Sequence, residues 1–380
     1  MSFFGKELEQ IRKRVGYTQY QLAKETNISR SHMNRVESGE RNPTQEMIEK
    51  IVEVLKLDSY NTNKLLILAD LPINIEKNSS GFKLCFRLAL EFKNKSMFSY
   101  AQKVLDLGMK TFEGMIELHA ILANTNLIKK QYDEAIKANE ETLKLFDKLN
   151  KSEKKKIGIS QAEIIHNLGY VYFERALENI SKYEIHITSK EKNLELINNL
   201  KKLILSDLNS AQIKIEEAFN MEKDNFHILD QLARLYYRKA EFLEKEEKIT
   251  YFNKAINYYE QLISTENNFD LPKKQEATIF MSLALAKIGK LDEAIRLINT
   301  IILFTNLYFL GYYAKSCIYA ISSNNNIEFL DLSFNSLKEG LKLNSQLKDA
   351  IKFEPDLYNL INSEKFAEKF SIFFENDGEL

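Results

Sequence analysis

Turn-forming residues are scarce in this 380-residue chain: 4 prolines and 12 glycines, together about 4% of positions, against roughly 12% in average proteins. A sheet-rich chain turns every ~8–12 residues and draws on both residue types to do so. The scarcity argues against sandwiches, barrels and glycine-loop nucleotide folds, and predicts an all-α protein. Tryptophan is absent, and Cys85 and Cys317 are the only cysteines. Two cysteines so far apart exclude a disulfide framework or a thiolate metal cluster and suit a reducing cytoplasm. Neither charge sign dominates, with 53 Lys+Arg against 54 Asp+Glu and a net charge of −1. Nucleic-acid binding must therefore come from a local surface. The start, Met1–Arg14, carries charge throughout and has no signal-peptide core. Leu297–Ala314 runs 18 residues without charge but contains Asn299, Thr300, Thr305 and Asn306. It reads as the junction of two buried helices rather than a membrane span. A soluble cytoplasmic protein without a membrane partner is expected.

Five short helical patterns occupy the first seventy residues. Lys6–Val15 spaces Leu8, Ile11 and Val15 at helical intervals and stops at Gly16. Thr18 and Gln21 form a capping-box pattern that opens a helix through Thr26. Ser29 is an N-cap for Arg30–Ser38, which Gly39 ends. Thr44 caps a helix through Leu55, and a fifth helix spans about Asn61–Leu71 before Pro72. Two short helices joined by a tight turn inside a five-helix bundle make a helix-turn-helix.

The string Tyr17–Ala23 followed by Ile28–Gly39 resembles the lambda-repressor-like (XRE) DNA-binding family, over about 66 residues. The resemblance makes Arg30–Ser38 the recognition helix. It places Arg30, Ser31, Asn34 and Arg35 at base edges or nearby phosphates, and Gln19, Arg41 and Asn42 on the phosphate backbone. It also assigns Arg12 and Glu37 to a structural ion pair. The chemistry agrees, since arginine pairs with guanine and asparagine with adenine in the major groove. Residues 1–72 hold 11 Lys+Arg against 10 Asp+Glu, so one copy alone would bind DNA weakly. A homodimer on a palindromic site would repair that.

The rest of the chain repeats a helical pattern. Tyr132–Ile136, Phe252–Ile256 and Leu291–Ile295 share a register, and Ala101 precedes Ala135 by 34 residues. Ala89, Ala123 and Ser282 lie twelve residues before Ala101, Ala135 and Ala294, small residues where two helices must approach closely. Gly169 before Ala211 and Ala233 before Ala255 are further pairs, with longer links. Asn167–Tyr172 and Gln231–Tyr236 are half-repeats that resemble the tetratricopeptide repeat, whose period is 34 residues. Five or six repeats fit between about Phe82 and Leu343, and Lys352–Tyr358 with Asn362–Phe366 look like the closing element. The expected organisation is a DNA-binding domain at 1–72, a linker at 73–81, a right-handed repeat superhelix at 82–350 and a cap at 351–380.

Stacked helix pairs leave a concave wall built from their first helices. Tetratricopeptide geometry carried onto this register places Asn124, Glu163, His166, Asn167, Tyr170, Glu174, Asp230, Arg234, Tyr237, Arg238, Lys287 and Lys315 on that wall. Amides, aromatics and both charges suit an extended peptide. The five histidines show no metal spacing, and no P-loop, GxSxG or dinucleotide fingerprint occurs, so neither a cofactor nor an enzyme is expected.

A lambda-repressor-like domain joined to such repeats resembles the RRNPP family of Gram-positive quorum-sensing receptors. That resemblance implies a cytoplasmic homodimeric transcription regulator whose repeats bind a short signalling peptide that switches DNA binding. Two alternatives stay open: a regulator gated by a protein partner, and a Rap-like activity that binds a response regulator and promotes loss of its phosphate.

Overall fold

The computed structural model describes residues 2–73, 75–112, 115–188, 193–265, 271–304, 308–323, 326–346, 348, 351, 354–363 and 366. Five short helices open the chain: α1 (Phe3–Arg14), α2 (Gln19–Glu25), α3 (Arg30–Ser38), α4 (Gln45–Leu55) and α5 (Ser59–Leu68). Side chains set their starts. Ser2, Thr18, Ser29, Thr44 and Asp58 each accept a hydrogen bond from a first-turn amide, satisfying donors that a helix leaves open. Thr18 and Gln21 close the reciprocal capping box. Gly39 ends α3 at φ 89°, a left-handed position that glycine takes without a Cβ penalty.

The fifth helix departs from expectation by stopping at Leu68. Asp70 adopts a left-handed φ of 59°, and the Leu71 and Asp70 amides turn back to the Leu66 and Ile67 carbonyls at 2.9 and 3.0 Å. This paired closure satisfies the last carbonyls and ends the helix early.

Thirteen further helices follow between Ser79 and Leu343 among the described residues. They are α6 (Ser79–Asn94), α7 (Phe98–Thr111), α8 (Ile116–Ile128), α9 (Tyr132–Asp147), the one-turn α10 (Lys151–Lys154), α11 (Gln161–Thr188) and α12 (Leu194–Met221). After them come α13 (Phe226–Glu241), α14 (Lys245–Ser264), α15 (Leu271–Lys287), α16 (Leu291–Phe304), α17 (Tyr308–Ser322) and α18 (Ile327–Leu343). Apart from α10, they pack as six consecutive pairs, from α6 with α7 to α17 with α18. No strand occurs among the described residues.

The small residues of the repeat register lie at the pair contacts. Ala89, Ala101, Ala123, Ala135, Ser282 and Ala294 are all buried, and a Cβ at Gly169 would stand 2.7 Å from Ile215 Cγ1 of α12. The insertion between Gly169 and Ala211 forms no loop domain but extends α11 and α12 to 28 residues each, about 42 Å at 1.5 Å per residue. Residues 170–220 contain neither proline nor glycine, so the inserted residues meet no strong helix breaker.

The uncharged stretch divides between α16 and α17, with Thr305 and Asn306 outside the described residues. No helix among the described residues is long and apolar enough to cross a membrane. At the chain end, a 3-10 turn at Pro355–Leu357 leads into a short helix at Tyr358–Ile361. Leu357, Leu360 and Phe366 bury themselves with Leu337, Leu341 and Ile351, closing the last pair. Lys352, Phe353, Glu364 and Lys365 of the expected cap lie outside the described residues.

Two compact units result, Met1–Ile159 and Ser160–Leu380. The first contains the five-helix bundle together with α6–α10. Its core runs without a break from Leu8, Met33 and Ile51 to Cys85, Leu88 and Phe92 of α6. In the second unit, α11 packs on α13, α13 on α15 and α15 on α17, more extensively than the successive second helices meet.

Candidate nucleic-acid interface and ligand wall

Helix α3 buries Met33, Val36 and Glu37 and exposes Arg30, Ser31, Asn34 and Arg35. The four exposed residues share one stripe because positions three and four apart stack on a helix. Ser29 Oγ accepts the His32 amide at 3.2 Å, fixing the end from which this stripe projects. Arg41 and Asn42 are exposed in the following loop, which the Arg41 amide ties to the Arg35 carbonyl at 3.0 Å. The Arg35 guanidinium lies 3.6 Å from Glu40, an exposed pair that costs little to release.

The buried side of α3 is held by one carboxylate. Glu37 takes Arg12 Nε at 2.8 Å and Nη2 at 3.2 Å, and Arg12 also donates to the Tyr17 carbonyl at 3.0 Å. This is the ion pair expected between the first and third helices. Half-buried Gln19 donates its amide to Glu37 at 2.8 Å, so a Gln19 contact to phosphate requires that bond to open or be shared. The result is a polar, cation-bearing helix face on a rigid base, of a width suited to the major groove.

The second unit brings most of the expected wall residues together in two neighbourhoods. In the first, the His166 and Tyr170 rings of α11 stack at 6.4 Å, and the Tyr170 hydroxyl donates to Glu174. Asp230 and Arg234 of α13 interact electrostatically with Tyr170. Burial, and secondarily His227, pushes His166 down to about 4, so its ring is neutral near pH 7. Its Nε2 is buried with no hydrogen-bond partner. Burial raises the Asp230 carboxyl, while Arg234 and Lys273 pull it down. Glu163 and Asn167 are exposed on α11.

In the second neighbourhood, Arg238 and Lys287 share Glu241 at 2.8 and 3.1 Å, and Lys287 also reaches Asp356 at 2.6 Å. Tyr237 is 3% exposed and packs edge-on against Phe252 and Phe280, so its ring belongs to the core rather than to an exposed wall. Lys315 stands apart, donating to Asn299 of α16 at 2.9 Å. Asn124 is exposed on α8, in the first unit.

Sequence reasoning missed the carboxylates here. Burial pushes Glu184 up to about 7 despite the Arg238 guanidinium, and burial with the Asp356 charge raises Glu354. Tyr313 donates to Glu354 at 2.8 Å. The one available signal was the acidic turn Glu354-Pro355-Asp356; the partners it meets are distant in sequence.

Comparison with known proteins gives one assignment within the chain. Residues 8–59 match the helix-turn-helix family, and the N-terminal bundle is a helix-turn-helix domain. No curated protein matches the chain. Among solved structures, the chain is similar to PlcR from Bacillus thuringiensis in complex with the peptide PapR7 and DNA, at 14% identity, covering 93% of this chain and 100% of that one, TM-score 0.33. It is also similar to the Rap conjugation gene regulator of the plasmid pLS20 in complex with a Phr peptide, at 13% identity, covering 98% and 95%, TM-score 0.30.

Proposed function

We propose that this chain is a cytoplasmic, homodimeric, sequence-specific DNA-binding regulator of the RRNPP type, whose repeats bind a short signalling peptide that switches DNA binding. The observation that carries the reading is the exposed Arg30, Ser31, Asn34 and Arg35 stripe, set on a helix whose inner face Glu37 fixes. Arginine reads guanine bidentately and asparagine reads adenine, so this stripe carries the chemistry of base readout. Gln19, Arg41 and Asn42 take the flanking phosphates. The near-balanced charge of residues 1–72 limits non-specific affinity, and pairing two copies on a palindrome supplies what one lacks.

The repeats supply the ligand wall in this reading, with residues 1–72 reading DNA, 82–350 holding the peptide and 351–380 closing the array. The buried, unpartnered Nε2 of His166 supports a ligand there, because buried polar atoms in folded proteins nearly always have partners. A peptide backbone offers both donors and acceptors to it and to exposed Asn167. Peptide acts by favouring one of two arrangements of the repeats; a peptide that bound both equally would shift nothing.

Selection of duplexes from a random pool by the full-length protein tests the reading. An enriched palindromic motif is expected, and failure to enrich any motif overturns it. Screening short synthetic peptides by thermal shift tests the second half. Ligands that raise Tm are expected, with the gain reduced in Asn167→Ala; a gain undiminished by that change moves the peptide off this wall.

A further inference from the structure

Helix α1 reaches α3, α5 and α7 of its unit at three places along its length. At its start, Phe3 packs edge-on against Tyr100 of α7, with ring centroids 6.1 Å apart. At its middle, Glu7 takes Lys64 Nζ of α5 at 2.6 Å, and Lys64 reaches Glu91 of α6 at 2.6 Å. Near its end, Arg12 holds Glu37 of α3 at 2.8 Å. Gly5 lies so close to α3 that any Cβ there would overlap the Glu37 carbonyl, so α1 and α3 meet backbone to backbone with no slack.

The contact with α6 is a charge network buried at Lys64 and Glu7 and opening toward solvent at Glu91 and Lys95. Lys64 is 5% exposed and Glu7 9%. Lys95 joins them at 3.7 Å from Glu7 and 2.7 Å from Glu91, the Tyr60 hydroxyl donates to Glu91, and Arg87 lies over the Tyr60 ring at 4.4 Å. Burial alone would raise the Glu91 carboxyl, but hydrogen bonds from Lys64, Lys95 and Tyr60 hold it at about 2. A network so fully paired favours one geometry, because sliding the helices would strand a buried charge. The connection between α5 and α6 is pinned as well. Ile75 is buried in the common core, and the Asn78 side chain caps α6. A free ten-residue connection would instead spread its ends over ~17 Å.

We infer that α1 is a strut fixing the recognition helix to the first repeat helices, with Glu7, Lys64 and Glu91 as positioning residues, so that α1–α7 move as one body. The helix-turn-helix then reads DNA without swinging on a tether, and any displacement of α6 or α7 reorients α3 directly. The consequence for DNA rests on the function proposed above; the rigid coupling does not.

Spin labels on Lys24→Cys in α2 and Lys110→Cys in α7, both exposed positions, test this in the full-length, DNA-free protein, whose native cysteines are buried. A single narrow distance distribution is expected. In Glu91→Gln and Lys64→Met it broadens toward the ~17 Å spread of a free connection, with far-ultraviolet circular dichroism unchanged, while Lys64→Arg stays narrow. A broad distribution in the parent, or one left narrow by Glu91→Gln, overturns the strut; should Lys64→Met not fold, Glu91→Gln decides. Operator affinity read in parallel falls in Glu91→Gln although α3 is untouched, an effect that local destabilisation remote from DNA would not give. A parent protein that binds no DNA defeats the functional reading alone, and the distances still judge the strut.

Discussion

Lys287 on α15 stands 2.6 Å from Asp356 on the closing turn, 69 residues further along the chain, and 3.1 Å from Glu241 on α13. One nearly buried cation thus joins two helices of the array to its end. Replacing it by Lys287→Met leaves Glu241 and Asp356 buried without it, with an expected loss of about 3–5 kcal/mol. Asp356→Asn leaves Lys287 its Glu241 partner and costs less, about 1–2 kcal/mol. Urea unfolding followed by circular dichroism checks the order; equal losses would show that Glu241 does not share the cation.

Arg30→Ala removes the leading cation of the exposed stripe without touching the core. Specific DNA binding should weaken by roughly 1–3 kcal/mol, while Tm stays within a degree or so of the parent, as for an exposed site. Fluorescence anisotropy with a selected operator reads the first quantity and calorimetry the second. Unchanged operator affinity would remove α3 from the interface.

Gly169→Ala sets helix propensity against packing. Alanine gains about 1 kcal/mol over glycine in an open helix. Here its Cβ would lie 2.7 Å from Ile215 Cγ1 and 3.0 Å from Lys214 Cβ, and overpacking of this kind costs about 1–3 kcal/mol. Packing wins, so a net loss is expected in denaturant titration, and a stabilised variant would mean that α11 and α12 separate without cost.

Glu184 makes the second unit sensitive to alkali. Burial raises its carboxyl from 4.5 to about 7, among Arg238, Glu241, Glu354 and Asp356. The folded state thus favours the protonated form. That contribution is complete below about 4.5 and is lost as pH rises through about 7. Glu184→Gln should therefore stabilise the protein at pH 8 by on the order of 1 kcal/mol, after allowance for solvent screening at a half-buried group, and give no gain at pH 5. Thermal melts at both pH values check this, and a gain of the same size at each would remove titration as its cause.

Local chemistry was legible in the sequence; long-range charge pairing was not. Ser29, Thr18–Gln21 and Gly39 announce their caps within four residues, because a helix end is satisfied by its neighbours. Ala89, Ala101, Ala135 and Ala294 mark pair contacts because only small residues fit there. The early end of α5 was hidden, since Asp70 taking a left-handed turn resembles any other aspartate. The length of α11 and α12 was also hidden, because no breaker marks where an insertion stays helical. Lys64 meets Glu7 and Glu91 across 57 and 27 residues, and nothing in the spacing of those charges distinguishes them from solvated ones. The resemblance to tetratricopeptide geometry implied that Tyr237 lies on the wall, yet α13 is enclosed on more sides than that geometry conveys, and the ring is buried.

Cys85 sits in the core of the first unit and Cys317 in that of the second. Burial pushes the Cys85 thiol up to about 11 and raises that of Cys317 well above its ordinary value. Neither reacts until the structure around it opens. The chain therefore contains its own pair of timers. Pulsed alkylation followed by peptide mass analysis reports how often each half opens, separately and without an introduced label.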